Sequence, residues 1–319
     1  MTIHKVALAG VAAVGLLFGS MAADAETRVT YKSAKSTSSY YQMAVQIAEA
    51  VKRGTNGDMI LTVEESQGSV QNVKEAAVRP GNYVFTTPPA LIKLAQGGKK
   101  MFEPKNPKFD EIRGLFPIPS LTMHFVVRAD SGIKTFADLE GKSYLIGKGS
   151  FGAKEAEKYF EMFGVKDKVK LVDVELNAAV AALKNKQVDG FATAGSYPAP
   201  NVMEAAAGTD IHLISMTDEQ VTESKRTKLV IPAGTYPGVD QDTTTTSLPV
   251  MAYTTTGMSD DTAYTLTKTY WSEKARMGND NKWWAAVKPE MLAPMAGKLH
   301  PGALKYYAEA GVSVPDALK

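Results

Sequence analysis

The chain has 319 residues, with 36 lysines and arginines against 34 aspartates and glutamates, so its formal net charge is +2. A near-neutral balance with interspersed signs argues against nucleic acid as the main partner. The sequence contains no cysteine, which excludes disulfides, thiolate metal sites and a lipid-modified cysteine anchor. A chain of this length favours two domains, and its core is large enough to fold without crosslinks.

The first 25 residues have the composition of a secretory signal peptide. Residues 1–5 carry a basic residue, residues 6–23 carry no charge, and Ala23-Asp24-Ala25 fits a small-x-small cleavage signal. We therefore expect cleavage before Glu26 and export of the remaining chain. No other stretch of the sequence approaches the roughly 20 apolar residues of a membrane span.

The next part of the sequence predicts a first unit of three strands that alternate with three helices. The predicted strands are 26–32, 59–64 and 82–85, and the predicted helices are 40–54, 70–78 and 88–97. This alternation is typical of a parallel sheet covered by helices. In such sheets the loops that follow the strands meet at one edge, where ligands bind. All three loops here, 33–39, 66–69 and 86–87, carry hydroxyl groups.

The first of these loops has a composition suited to an anion. Tyr40, Ala44, Ile47 and Val51 form one apolar helical face, and the serines and threonine before them supply an N-cap. The first turn of a helix carries unpaired N–H groups and the positive end of the helix dipole. With Lys35 beside it, this turn is predicted to bind a carboxylate or phosphate. A capped surface helix without a ligand is the alternative.

A second unit of similar size follows a connecting loop at 101–110 and two predicted strands at 112–119 and 121–128. Its strands are predicted at 143–146, 169–174, 190–194 and 212–216, and its helices at 153–163, 178–186 and 201–207. The chain then passes through a turn-rich segment, 232–238, and a threonine-rich strand, 243–256. Three last helices, 259–277, 282–290 and 301–310, are expected to return to the first unit.

Residues 147–152, GKGSFG, match G-x-G-x-x-G between a predicted strand and a predicted helix. The acidic residue that binds ribose in a dinucleotide fold is missing, because Asp167 lies in a loop and Asp173 is late in the next strand. We therefore favour a small-anion site over an NAD site, since the same backbone N–H groups serve either ligand. Lys148 would complement the anion, and a tight turn without a ligand is the alternative.

The sequence offers no convincing enzyme site. Ser150 lacks the glycine that G-x-S-x-G requires two residues before the nucleophile. Beyond the signal peptide the histidines are His124, His212 and His300, each predicted to be structural. No H-E-x-x-H or clustered carboxylate pattern suggests a metal. We therefore predict a protein that is not an enzyme and needs no cofactor.

Short stretches spread over the whole chain form a further signature. They are 39–41 (SYY), 65–72 (ESQGSVQN), 131–133 (SGI), 138–142 (DLEGK), 149–152 (GSFG), 188–191 (VDGF), 231–238 (IPAGTYPG), 300–303 (HPGA) and 306–307 (YY). In this order they resemble the TAXI family, the solute-binding receptors of TRAP transporters. The resemblance covers essentially the whole exported chain.

This resemblance implies an α/β, two-lobed periplasmic binding protein fold of type II. Each lobe is expected to be a mostly parallel sheet covered by helices, and crossing hinge segments join the lobes. The implied organisation is a signal peptide at 1–25, a first lobe at 26–126, a second lobe at 127–231, and crossing segments with a return to the first lobe at 232–319. The implied protein is a periplasmic monomer that passes a small anionic solute to the membrane permease subunits of a TRAP transporter.

Two departures from the family bear on the ligand. Lys35 and Ser38 stand where the family has glycines, and residues 86–89, TTPP, replace an acidic or glutamine-bearing segment. Loss of that carboxylate removes a partner for an α-amino group, whereas Lys35 and Lys148 suit a more negative ligand. We therefore predict a four- or five-carbon dicarboxylate or a 2-oxoacid such as 2-oxoglutarate. The alternatives are a glutamate or glutamine receptor, a periplasmic sensor domain and a nucleotide-using enzyme.

The predicted ligand-binding residues come from loops of both lobes and from the crossing segment. They are Lys35, Ser36, Thr37, Ser38, Ser39, Tyr40, Ser66, Ser69, Asn72, Thr86, Thr87, Lys148, Gly149, Ser150, Phe151, Gly195, Tyr197, Pro198, Thr235 and Tyr236. We expect the helix starts near Ser38 and Ser150 to face each other across the cleft and to bind the same anion.

Overall fold

The computed structural model describes residues 26–319, so the predicted signal peptide lies outside the described residues. The strands are β1 Thr27–Lys32, β2 Met59–Glu64, β3 Tyr83–Thr87, β4 Ile112–Arg128, β5 Ser143–Leu145, β6 Lys170–Val172, β7 Gly190–Gly195, β8 Ile211–Leu213, β9 Thr227–Ile231, β10 Thr243–Thr255 and β11 Lys298–Leu299. The α-helices are α1 Ser39–Gly54, α2 Ser69–Ala76, α3 Pro89–Gln96, α4 Phe151–Met162, α5 Ala179–Lys184, α6 Pro200–Gly208, α7 Asp218–Ser224, α8 Asp260–Asp280 and α9 Pro301–Glu309. Strand and helix alternate through both units, as the sequence predicted.

The long helices begin at hydroxyl N-caps. The Oγ of Ser38 accepts a hydrogen bond from the N–H of Tyr40 at the start of α1, and the Oγ of Ser150 accepts one from the N–H of Ala153 in α4. Each cap satisfies one of the first-turn donors that have no partner inside the helix. Ser38 and Ser150 therefore fix where the two helices begin.

One mixed sheet runs through both lobes in the order β2-β1-β3-β10-β4-β7-β5-β6. The strands at each end are parallel, since β1 pairs with β2 and β3, and β5 pairs with β6 and β7. The two central strands, β10 and β4, run antiparallel to each other and to their outer neighbours. This confirms an α/β fold of two units joined by crossing strands. We call the β1–β3 end the first lobe and the β5–β7 end the second lobe.

The main crossing strand differs from its prediction, because β4 is one strand where the sequence predicted two, at 112–119 and 121–128. It pairs with β10 from Ile112 to Thr122 and with β7 from Thr122 to Val127. Pro119 lies where the register against β10 shifts, between Leu248 and Val250, whereas Pro117 is paired with Met251 of β10. The predicted lobe boundary at 126/127 falls inside this strand.

Two smaller corrections concern helices. The predicted helix 282–290 is instead two short 3-10 segments, Lys282–Ala286 and Pro289–Leu292. Lys288 is extended, with φ −135° and ψ 157°, because a residue before proline is disfavoured in the helical region. Helix α7 was missed, although Thr217 and Gln220 form a capping box at its start.

The chain after β10 packs against the first lobe. Arg53 of α1 forms an ion pair with Glu273 of α8 at 2.7 Å, and the Nε1–H of Trp284 donates to Gln46 of α1 at 2.7 Å. Of the helices within residues 26–319, none is long and apolar enough to span a bilayer.

Candidate ligand-binding site

A small cavity lies between the lobes at the point where α1 and α4 begin. Ser38 and Ser150, the two N-cap residues, both line it, and we call it the cleft cavity. Its volume is about 60 Å³, several times the roughly 10–15 Å³ that one water needs. The two helix starts that the sequence expected to share one ligand therefore face the same space. Their first-turn N–H groups and helix dipoles favour a negatively charged group there.

Lys35 is paired with a carboxylate of the opposite lobe. Its Nζ lies 3.0 Å from Oε2 of Glu175, and Gln67 donates to Oε1 of the same carboxylate at 2.7 Å. Lys35 and Gln67 belong to the first lobe and Glu175 to the second, so these contacts span the cleft. They lower the pKa of Glu175, the bond from Lys35 most and the bond from Gln67 next. We call the three residues the interlobe polar cluster.

Lys148 has a partner within its own lobe. Its Nζ lies 2.7 Å from Oδ2 of Asp173, and both side chains are largely exposed. This contact raises the pKa of Lys148. Both ammonium groups that the sequence assigned to the ligand are thus paired with carboxylates of the protein.

A second contact brings the lobes together beside the cavity. The N–H of Ser196, which follows β7, donates to the Oγ of Ser39 in α1 at 3.0 Å. A Cβ atom at Gly195 would lie 2.5 Å from that same oxygen, closer than two such atoms can pack. Glycine at 195 therefore permits the approach of the lobes, and Ser39 contributes to that approach.

The loops of the first lobe are held by buried polar side chains. Asn72 is fully buried, and its Nδ2 donates to the carbonyls of Ser33 at 2.7 Å and Thr86 at 2.9 Å. The Oγ of Ser66 donates to the carbonyl of Ser33 at 2.9 Å. Because these bonds tie the loops after β1 and β2 to the end of β3, Asn72 and Ser66 position the cavity rather than line it.

The predicted site residues fall into four groups. Those that line the cleft cavity are Lys35, Ser38, Tyr40, Ser69, Thr86, Lys148, Ser150 and Phe151. Those outside its lining, in the loops of the same region or at the ends of the neighbouring strands and helices, are Ser36, Thr37, Ser39, Ser66, Asn72, Thr87, Gly149 and Gly195. Those that line a different cavity, on the other side of β4, are Tyr197, Pro198 and Thr235. The last is Tyr236, which is buried with its hydroxyl 2.7 Å from Nε2 of His124. The crossing segment is therefore near the hinge but not at the cleft cavity.

Several lining residues were missing from the prediction. They include Gln67, Gly68, Leu121, Ile146, Gly152, Leu176 and residues 192–194 of β7. The signal for β7 was present, because small residues at the carboxyl end of a parallel strand lie at the edge where ligands bind. Thr193 is the polar residue among them, and its Oγ1 accepts a hydrogen bond from Asn201 at 3.0 Å.

The histidine nearest the hinge has a structural environment. His124 is buried, with Nδ1 3.1 Å from the carbonyl of Thr122 and Nε2 beside Tyr236. Burial lowers the pKa of His124 to about 4, so its ring is neutral at physiological pH. Within residues 26–319, no group of three or more histidines or acidic residues could hold a metal ion.

Two solved structures share this architecture over most of the chain. The structure of the periplasmic binding protein BugD matches with a TM-score of 0.59 at 12% identity, over 91% of this chain and 99% of that one. A protein of Bordetella bronchiseptica RB50 matches with a TM-score of 0.50 at 15% identity, over 92% of this chain and 84% of that one. At these identities the likeness shows the fold, the two-lobed fold of periplasmic binding proteins.

A family model gives the finer assignment. It matches residues 32–311, a range that contains both lobes and every residue that lines the cleft cavity. The chain therefore belongs to the NMT1-like family.

Proposed function

We propose that the protein is a periplasmic solute receptor that captures a small organic acid in the cleft cavity and delivers it to a TRAP-type membrane transporter. The observation that carries this proposal is the convergence of two helix N-termini, one from each lobe, on one small cavity. A ligand shifts the lobes toward closure only through contacts that it makes in the closed form. A carboxylate that contacts α1 and α4 together makes such contacts.

The proposed ligand is a dicarboxylate or 2-oxoacid of four or five carbons. Its oxygen atoms would accept hydrogen bonds from the helix N–H groups and from the hydroxyls of Ser69 and Thr193, which also line the cavity. The volume of about 60 Å³ favours a ligand of few non-hydrogen atoms. The pairing of Lys35 and Lys148 with carboxylates means that a second negative charge on the ligand would have to compete for them.

An amino acid is the second candidate, and the position of Glu175 favours it. The sequence argued against an α-amino group because residues 86–89 lack a carboxylate. The opposite lobe supplies one at Glu175, beside Lys35. A ligand ammonium group that displaced Lys35 would find this carboxylate next to the cavity.

A ligand panel tests the proposal directly. Purified protein is titrated with succinate, 2-oxoglutarate, glutamate, glutamine, ATP and NAD, and followed by thermal shift and calorimetry. We expect binding of 2-oxoglutarate or succinate. Binding of the amino acids alone would replace the first ligand class by the second, and stabilisation by nucleotides alone would refute a receptor for organic acids.

The transporter class needs its own measurement. Uptake of the identified ligand is followed in proteoliposomes that contain the candidate permease subunits and this protein. Uptake that requires an ion gradient supports a TRAP-type partner. Uptake that requires ATP would assign the protein to an ABC-type transporter and leave the cleft ligand unchanged.

A further inference from the structure

A larger cavity lies on the side of β4 that faces away from the cleft cavity. Its volume is about 640 Å³, against about 60 Å³ for the cleft cavity, and we call it the rear cavity. Ser120 and Thr122 of β4 line it, whereas Leu121 between them lines the cleft cavity. Because side chains alternate between the two faces of a strand, one strand separates the cavities.

Hydroxyl groups form one surface of the rear cavity. Thr122 of β4 and Ser247 of β10 are paired residues in the antiparallel ladder, and Ser120 lies two residues before Thr122 on the same face. The carbonyls of Ser120 and Thr122 take part in hydrogen bonds. Among the described residues, the three hydroxyls themselves have no protein hydrogen-bond partner, so they are available to a ligand.

Apolar and aromatic side chains also line the rear cavity, among them those of Trp283, Tyr197, Pro198 and Met291. Trp283 is 6% exposed, and its indole N–H has no hydrogen-bond partner among residues 26–319. A buried donor without a partner is destabilising. Lys282, the neighbouring residue, also lines the cavity and forms no ion pair with another described residue.

We propose that the rear cavity is a second binding site, for a small hydroxylated aromatic carboxylate. The ring packs between Trp283 and Tyr197, the carboxylate pairs with Lys282, and the ring hydroxyl bonds to Thr122 and Ser247. The volume lies within the range of roughly 300–1,000 Å³ that small-molecule sites have. The proposal does not depend on which acid the cleft cavity binds.

Ser196 connects the two sites. Its N–H donates to Ser39 at the cleft, its Oγ donates to the carbonyl of Ser120 at 2.6 Å, and it lines the rear cavity. The walls of the rear cavity come from the second lobe and from the C-terminal segment that packs on the first lobe. A hinge movement that closes the cleft therefore changes the rear cavity. Each ligand then changes the affinity of the other by the same factor.

Titration of the purified protein with 4-hydroxybenzoate tests this site, with tryptophan fluorescence and calorimetry as readouts. We expect saturable one-to-one binding, about tenfold tighter than that of phenol or benzoate, which each lack one polar group. Lys282→Met and Thr122→Val should each weaken binding by about tenfold. Lys148→Met, which alters the cleft cavity alone, should leave the affinity for 4-hydroxybenzoate unchanged.

Three results would overturn the proposal. They are no saturation up to about 10 mM probe, equal affinity of wild type and both rear-cavity variants, and weakening by Lys148→Met, which would place the probe in the cleft. Melting temperatures show whether the variants fold. If Thr122→Val unfolds, Ser247→Ala replaces it, because it removes the other hydroxyl that is proposed to bond to the ring hydroxyl of the probe.

Discussion

The two helix starts at the cleft cavity share a local sequence pattern but have different surroundings. Ser38 caps α1 and Ser150 caps α4, and each has a lysine two or three residues before it, Lys35 or Lys148. Lys35 is paired across the cleft with Glu175, and its side chain is 21% exposed. Lys148 is paired within its own lobe, and its side chain is 59% exposed. Lys35 therefore joins the two lobes, whereas Lys148 remains on the surface of its own lobe.

The position of the partner carboxylate decides what each lysine does. Exposed ion pairs contribute about 0–1 kcal/mol to stability, and the pair of Lys148 exists whether the cleft is open or closed. The pair of Lys35 can form only when the lobes approach each other, so all of its interaction energy favours closure. The contacts that span the cleft should therefore control ligand affinity more than the contacts within one lobe.

The largest expected effect comes from Gly195→Ala. The added Cβ would lie 2.5 Å from the Oγ of Ser39, so either the Ser39 side chain turns away and gives up its hydrogen bond with the N–H of Ser196, or the lobes move apart. We expect ligand affinity, measured by calorimetry, to fall by more than about tenfold. Gly278→Ala in α8 is the control, since its Cβ would meet no atom closer than 3.6 Å. Unchanged affinity in Gly195→Ala would mean that tight binding does not need this approach.

The second largest expected effect distinguishes the role of Lys35 from that of Lys148. Lys35→Ala should weaken ligand binding by about two- to fivefold, because it removes the ion pair across the cleft. Lys148→Ala should change affinity by less than about twofold. The measurement is calorimetry of both variants with a diacid and a monoacid. A larger loss for the diacid assigns Lys35 to the ligand as well, and an equal loss assigns it to closure alone. Equal effects of the two variants would contradict the inference that contacts across the cleft control ligand affinity more than contacts within one lobe.

The sequence predicted the helix starts better than the contacts between them. A serine N-cap is a local signal, because it depends only on the residues just before an apolar helical face. Ser38 and Ser150 are the N-caps of α1 and α4, where the sequence predicted the helices to begin. The pairing of Lys35 with Glu175 joins residues 140 positions apart and depends on how the lobes close. No local pattern encodes that distance, so Lys35 was assigned to the ligand and Glu175 was overlooked.

The prediction of the strands was limited in the same way, to what neighbouring residues determine. Alternation of strand and helix predicted two parallel units, because each strand and helix has its own periodicity. It did not show that β4 runs unbroken through Pro117, which pairs with Met251 of β10, and through Pro119, where the register against β10 shifts. It also did not show which face of β4 each neighbour lies on. Tyr197, Pro198 and Thr235 were therefore predicted at the cleft and lie at the rear cavity.

A pH titration tests whether the ionised carboxylate of Glu175 stabilises the closed form. The hydrogen bond from Lys35 is the main cause that lowers the pKa of Glu175. Because only the ionised carboxylate forms the ion pair, Glu175 stabilises the closed form at pH values above this lowered pKa. The stabilisation is lost as the pH falls through the lowered pKa. We therefore expect the closed form to persist at neutral pH and to lose this contribution below the ordinary glutamate pKa of 4.5. Small-angle scattering should show the radius of gyration rising in that range.

Two variants control this titration, because other carboxylates also titrate in acid. Glu175→Gln should remove the pH-dependent opening, whereas Asp173→Asn, which breaks the pair of Lys148, should retain it. Circular dichroism at each pH shows whether the protein is still folded. The same acid opening in Glu175→Gln would assign the effect to other groups.

The smallest expected effect concerns the caps themselves. Ser38→Ala and Ser150→Ala should each lower the free energy of unfolding by about 1 kcal/mol, measured by urea denaturation. The loss should be greater for Ser150, because its Oγ accepts from Ala153 at 2.9 Å and also donates to the carbonyl of Gly147 at 2.8 Å. The Oγ of Ser38 accepts from Tyr40 at 3.1 Å. Ser150→Thr should restore most of the loss, since threonine also caps helices. A greater loss for Ser38→Ala would show that its position at the cleft cavity, rather than its cap bond, determines its contribution.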